Sequence, residues 1–316
     1  MEQLFERYYR LLDSVSVDFT RGYAEKINWN ARMIGVRGAR GIGKTTILLQ
    51  HMKRNFKRDG SALYVSLDNI WFSENRLIEL ADVFIKQGGR YLFLDEVHKY
   101  NGWSQELKNI YDGYPDLKIV FTGSSLLEIR KSRADLSRRA VVYNLRGLSF
   151  REYLNLMVGL EMPVFSLDDI LSGHVDHAQE VLKQVKPLKY FASYLKSGYY
   201  PFFLEVPELY FHRLDEIINL ILENELPLLR NVELANVPKL KLLLKILAES
   251  APFVPNIVKL SERSGLTRNT VISYLGYFEE AHLGKNLYKN AKGITRLQKP
   301  DKIYLENTNL MHALSP

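Results

Sequence analysis

The sequence predicts an α/β chain: a parallel-sheet core, then a helical region, then a small C-terminal winged-helix-like module. Three observations lead there. Short apolar runs alternate with helical periodicities through the first 150 residues, the pattern of a parallel sheet with crossover helices. A glycine-rich turn, Gly38-Ala39-Arg40-Gly41-Ile42-Gly43-Lys44-Thr45, separates the first apolar run from a helix. From Phe150 onward helical periodicities replace the strands, and near Asn256 two short helices flank a tight turn. The expected divisions are 1–155, 156–248 and 249–316.

Residues 1–30 read as a helical or partly extended lead-in ending at Trp29. Ala31 to Val36 is short and apolar and predicts the first core strand. Thr45 to Lys57 predicts a helix, with Ile47, Leu48, Leu49 and Met52 on one face and basic residues gathered at its end. Ala62 to Leu67 is a second strand, and Leu77 to Lys86 a helix closed by Gly88-Gly89. Arg90 to Asp95 is nearly all apolar, as a strand covered on both faces must be. Trp103 to Tyr111 is helical, Lys118 to Thr122 a fourth strand and Val141 to Leu145 a candidate fifth. Gly159 to Pro163, Pro187 and Pro207 punctuate the helical middle, and Lys239 to Leu247 is a further helix before Pro252 and Pro255.

Composition narrows the chemistry. The 316 residues suffice for two or three domains. The absence of cysteine excludes disulfides, thiolate catalysis and cysteine-ligated metals, and the seven histidines show no zinc spacing. No basic-then-apolar leader and no run of eighteen apolar residues occur, so the expected compartment is the cytoplasm, with no membrane partner. A net charge of +7 permits a polyanionic partner without requiring one.

The glycine-rich turn is a full G-x-x-x-x-G-K-[ST] phosphate loop, with Thr46 adding a second hydroxyl. Glycines let backbone N–H groups converge on a phosphate, and the helix that follows turns its N-terminus to the anion. The candidate nucleotide-binding residues are Gly38, Ala39, Arg40, Gly41, Ile42, Gly43, Lys44, Thr45 and Thr46. Lys44 would neutralise the β- and γ-phosphates, and Thr45 would ligate Mg²⁺. Arg37 and Arg40 flank the loop, in contact with phosphate or simply solvated. The strand Tyr91 to Leu94 delivers Asp95, the second expected metal ligand, and Glu96, which would polarise the attacking water. Past the next strand, Thr122-Gly123-Ser124-Ser125 offers a polar sensor of the γ-phosphate. Ser124 is favoured, with Thr122 and Ser125 as competitors. Arg130, Lys131, Arg133, Arg138 and Arg139 form a basic cluster. Arg138 or Arg139 is the candidate arginine for the γ-phosphate, in cis or in trans, against the alternative of ion pairs with Asp135 and nearby acids.

These motifs together resemble the bacterial and archaeal AAA-type P-loop ATPases that carry a domain of unknown function after the ATPase core. The resemblance runs through Gly38 to Thr46, Leu92 to Tyr100, Trp103, Leu107-Lys108, Tyr111-Asp112 and Thr122 to Ser125. It continues in Leu136-Ser137-Arg138-Arg139, in Leu145 to Tyr153, and in Ser197-Gly198-Tyr199-Tyr200-Pro201. It implies ATP as the nucleotide, a helical lid and a winged-helix-like module. No N-K-x-D guanine-reading motif stands at a strand end. Family members commonly continue beyond a segment like Lys302 to Asn307 into a nuclease-like region, whereas this sequence stops at Pro316.

In the last unit, Asn256 to Arg263 and Thr267 to Phe278 predict a helix-turn-helix around Ser264-Gly265-Leu266, with Thr267 as a cap. Ile257, Leu260, Leu266, Val271, Ile272 and Leu275 would share a core. Leu283 to Tyr288 and Lys302 to Leu305 predict the wing. Arg268, Asn269 and Ser273, with Lys285, Lys289, Lys292 and Arg296, are candidates to meet duplex DNA through 256–296. A protein-contact role is the alternative, since Glu279-Glu280 closes the second helix.

Several aromatic and histidine residues have two readings. Tyr8, Tyr9, Phe19 and Tyr23 would pack on adenine or, more simply, among themselves. Tyr194, Tyr199, Tyr200, Phe202 and Phe203 form a stacking platform or a core. His98 would orient the catalytic water or serve as a structural hydrogen-bonding group. The leading expectation is an ATPase whose hydrolysis moves the C-terminal module. The competitors are an ATP-dependent DNA-binding regulator or genome-maintenance factor, and a nucleotide-gated scaffold or signalling protein with little turnover, acting on a protein partner or on itself.

Overall fold

The first five strands are β1 (Met33–Arg37), β2 (Ala62–Ser66), β3 (Tyr91–Asp95), β4 (Lys118–Gly123) and β5 (Val141–Asn144). In the computed structural model, which describes residues 1–123, 136, 138–250, 254–288 and 300–315, they form one parallel sheet in the order β2-β3-β4-β1-β5. All lie within two residues of their expected ends. β1 to β4 are buried on both faces, which their unbroken apolar sequences require, whereas β5 is a largely exposed edge. Because every strand runs the same way, their C-terminal ends share one rim of the sheet. Val36 pairs with Thr122, and Leu94 with Phe121, so the glycine turn, Asp95 and the start of the Thr122 loop meet on that rim.

The lead-in is α1 (Glu2–Ser14), which buries Leu4, Tyr8 and Leu12 at helical spacing. Tyr8 packs on Tyr9, and Phe5 on Phe84; Phe19 and Tyr23 lie at the margin of the same core, so these aromatics pack as structure. α2 (Lys44–Asn55), α3 (Leu77–Lys86) and α4 (Trp103–Gly113) cover the sheet. The helical region consists of α5 (Phe150–Val158), α6 (Leu167–Gln184), α7 (Leu188–Ser197), α8 (Tyr210–Leu220), α9 (Leu226–Arg230) and α10 (Val237–Glu249). A π-helical turn, Ile221–Glu225, joins α8 to α9. Ser149 with Glu152, and Ser166 with Asp169, close capping boxes that fix where α5 and α6 begin.

The expected helix-turn-helix is α11 (Ile257–Ser264) and α12 (Arg268–Glu280). Gly265 supplies the left-handed turn and Thr267 caps α12 through the Thr270 N–H. β6 (Gly284–Leu287) and β7 (Lys302–Leu305) pair antiparallel as the wing's strands. Lys289, Lys292 and Arg296 lie outside the described residues. The chain then adds α13 (Thr308–Leu314), which the sequence reading did not anticipate. α10 packs against α11, β7 and α13, so the helical region and the winged-helix-like module share one core across residue 249.

Asn309 fastens that shared core. It is buried, accepts from the Tyr199 N–H (2.8 Å) and the Tyr210 hydroxyl (2.5 Å), and donates to the carbonyls of Tyr194 (3.2 Å) and Leu195 (2.7 Å). Asn309→Leu keeps the shape but strands the Tyr199 N–H and the Tyr210 O–H, at roughly 1–3 kcal/mol for each group left unsatisfied, while the carbonyls of Tyr194 and Leu195 keep the Gly198 N–H and the Thr308 hydroxyl. Urea unfolding followed by circular dichroism should show a clearly lower midpoint for this variant; an unchanged midpoint would contradict the fastening role.

Candidate nucleotide site

The loop is shaped by what surrounds it. A Cβ at Gly38 would lie 2.3 Å from the Leu145 carbonyl oxygen, so the chain can turn there only as glycine. Lys44 opens α2, is buried, and its Nζ donates to the carbonyls of Gly38 (3.0 Å) and Ala39 (2.8 Å). Burial pushes the Lys44 ammonium down to about 8; nearby Glu96 and Asp95 oppose that shift, and Arg40 adds to it.

Asp95 ends β3 beside the loop. It accepts from the hydroxyls of Thr45 (2.5 Å), Tyr64 (2.8 Å) and Thr122, so three segments aim one carboxylate. Burial, with Asp95 beside it, holds the Tyr64 phenol protonated far above the usual range, and it remains a donor. Glu96 adopts a left-handed backbone (φ 51°), uncommon for a non-glycine residue, and its N–H donates to Thr122 Oγ1 (3.2 Å). That backbone turns its carboxylate into the cleft, where His98 Nε2 lies 3.4 Å from Glu96 Oε2. Burial, with Arg40, Lys99 and Lys44 nearby, lowers His98 to about 3, so its imidazole is neutral at physiological pH.

A cleft of about 300 Å³ opens over the loop. One wall is Arg40, Gly41 and Gly43 to Thr46 with Glu96; the other is Pro201, Phe202 and Glu205 from the helical region. The glycine-tyrosine-proline segment thus covers the loop: Phe202 serves as cleft wall, while Tyr200 and Phe203 are buried in core. Arg40 reaches across to Glu225 at 2.9 Å. Arg21 lies beneath the loop. Its guanidinium donates to the carbonyls of Ile42 (3.0 Å), Arg146 (2.8 Å) and Gly147 (2.9 Å) and pairs with Glu152 (2.9 Å). Burial would raise Glu152, but the bonds from Arg21 and Ser149 hold it below the usual carboxylate range.

The structure therefore brings together Lys44, Thr45, Asp95 and Glu96, with Thr46 exposed at the cleft. Ser124 and Ser125 lie outside the described residues, as do Arg130, Lys131 and Arg133. Thr122, the competing sensor, is committed to Asp95. Arg138 and Arg139, the candidates for a γ-phosphate arginine in cis or in trans, do not stand beside the loop of their own chain. They precede β5, whose Val141 pairs with Ile34, so they stand at the opposite rim of the sheet. There Arg139 pairs with Asp112 at 2.8 Å, roughly 13 Å of strand from the loop. Sequence reasoning missed Arg21, Tyr64 and Glu225. Only the position of Tyr64, a phenol in the middle of an apolar strand, offered a signal.

Residues 30–154 match the family model of an AAA domain, and residues 188–316 match that of a domain of unknown function, DUF8612. The chain thus joins an AAA-type P-loop ATPase domain to a distinct C-terminal domain, as the resemblance implied. It is 27% identical over 292 residues to the uncharacterized protein MJ1637 of Methanocaldococcus jannaschii, covering 87% of this chain and 61% of that protein's length. The Walker-type ATPase PABY2304 of Pyrococcus abyssi shares the fold. The match covers 94% of this chain and 96% of that one, at 13% identity and a TM-score of 0.56. No helix among the described residues is long and apolar enough to cross a membrane.

Two outcomes follow from this geometry. Arg21→Met leaves Glu152 charged and buried and three carbonyls bare, so it should cost about 3–5 kcal/mol in chemical denaturation; adding Glu152→Gln should recover part of that. An unaltered denaturation curve would contradict the anchoring role. Phosphate anions should raise Lys44 from about 8, so ATP binding at pH 8 should take up about half a proton, and less at pH 7. Calorimetric heats at pH 8 that do not vary with buffer ionisation enthalpy would refute this.

Proposed function

We propose that this chain binds ATP with Mg²⁺ at Gly38 to Thr46, hydrolyses it, and passes nucleotide state to its helical region and winged-helix-like module. The observation that supports this most is the meeting of Thr45 and Asp95 at 2.5 Å, with Glu96 next in the chain and Lys44 under the loop. A hydroxyl and a carboxylate are the hard oxygen donors that Mg²⁺ takes from proteins, so these two residues would hold it. Bound there, Mg²⁺ supplies neutralisation of the β- and γ-phosphate oxygens. Lys44 exchanges its loop carbonyls for phosphate oxygens. Tyr64 and Thr122 keep Asp95 in place. Glu96 accepts the proton of the attacking water at its carboxylate, and neutral His98 donates from Nε2 to orient that carboxylate.

The Arg40–Glu225 pair supports the coupling. Phosphate competes with Glu225 for the same guanidinium, so loading the loop loosens a contact with the turn between α8 and α9. Because α10 shares a core with α11, β7 and α13, movement there reaches the module. The divisions at 155/156 and 248/249 serve this relay as a sender, a transmitter and a receiver.

Coupling to duplex DNA is the second reading. Arg268, Asn269 and Ser273 are exposed on α12, while Glu280 pairs with Arg230 and Glu279 accepts from Asn286, so the closing acids are engaged within the chain. Phosphate release separates the readings. Glu96→Gln should lower turnover by about 10²–10⁴-fold while keeping ATP affinity within a few-fold, and Lys44→Ala should abolish binding. Stimulation by duplex DNA that is lost in Glu96→Gln would favour the DNA-coupled reading. Equal, negligible rates in wild type and Glu96→Gln would leave a nucleotide-gated scaffold.

A further inference from the structure

Helix α6 spans 18 residues and none of them is buried. Leu167, Ile170 and Leu171 precede its kink at Gly173 and Val175 and Leu182 follow it, all between 47% and 72% exposed; Leu188, opening α7, is 85% exposed. Five large apolar side chains exposed along one element mark a contact surface. α6 lies within residues 155–187, which neither family match includes, and among the described residues it contributes nothing to the nucleotide cleft.

The charges around the face select its occupant. Asp168 and Asp169 stand at the start of the helix, whereas Lys183, Lys186 and Lys189 stand at and just past its end, all exposed. Asp176 and Glu180 lie between them, so the helix lacks the basic polar face that would seat it on an anionic membrane. We propose that this face docks a second copy of this chain, with the two α6 helices antiparallel across a twofold axis near Val175. A helix that crosses a twofold axis meets its copy antiparallel, and the contact is self-complementary. The acidic start of each α6 then lies beside the basic end of the other, and the helix dipoles oppose. A parallel pair would stack like charges at both ends. The element is two arms, residues 167–172 and 174–184, of about 9 and 17 Å, that meet at the kink at Gly173, and the apolar residues of both arms are available to interdigitate.

The assembly does not depend on the ATPase reading, so it is tested without nucleotide. Sedimentation velocity of the full chain, from about 1 to 100 μM, should show the mass rising from 36.7 kDa to twice that value. Leu171→Asp with Leu182→Asp should hold the monomer mass across the range, with the far-UV spectrum and melting midpoint unchanged, because neither residue is packed in the monomer. Asp168→Lys, which leaves the Asp169 capping box intact, should weaken association by about threefold or more, and adding Lys186→Asp with Lys189→Asp in the same chain should restore it. A wild type that remains monomeric overturns the proposal, including one that instead binds another protein or anionic vesicles. So does a dimer indifferent to the leucine changes, or a charge reversal that the second pair does not repair.

Discussion

Arg21 carries its charge into the interior and ties four segments to one side chain: the lead-in, the phosphate loop at Ile42, the turn after β5 at Arg146 and Gly147, and the cap of α5 at Glu152. A buried charge is tolerable only when paired and fully bonded, and here each bond also fixes a backbone. The loop cannot shift without disturbing the start of the helical region, because both hang on one planar guanidinium. The remaining parts of the cleft rest on that fixed geometry. Asp95 can be aimed by three hydroxyls, and Phe202 can lie against Gly41, only while the loop and the helical region hold their spacing.

Much of the fold was legible because its signals are local. Apolar runs ended by glycine or charge gave the five strands, and Gly265 with Thr267 marked the turn of the helix-turn-helix. Lys44, Thr45, Asp95 and Glu96 were legible as strand-end chemistry, since a parallel sheet collects its C-terminal ends on one rim. The rest depended on pairing order and docking. Tyr64 reaches Asp95 because β2 neighbours β3, and Glu225 reaches Arg40 because the helical region folds back over the loop. Neither relation leaves a mark in local sequence. The basic cluster near Arg138 showed its charge but not its rim. Strand direction in β5 carries Arg138 and Arg139 away from the loop, and the likeness of arginines in sequence concealed that difference.

The cleft is also electrostatically tense. Lys44 and Arg40 face Asp95, Glu96 and Glu225 in partly or wholly buried surroundings, where charges act on one another with little screening. Burial lowers both Lys44 and His98, so the chain holds its main cation near its titration range and its histidine neutral. An incoming polyphosphate therefore enters a site whose positive groups already have partners. Its binding must rearrange those partners as well as add new contacts.

Gly41 lies at a position where the loop's consensus allows any residue. Here its φ is +75°, and a Cβ would fall 2.7 Å from the Phe202 ring. Two positions remote in sequence are thus bound into one inheritance. A side chain admitted at 41 demands a smaller one at 202, and a ring kept at 202 forbids any side chain at 41. Position 41 cannot gain a side chain while the ring stays, so the freedom of this loop to vary is governed by the helical segment that roofs it.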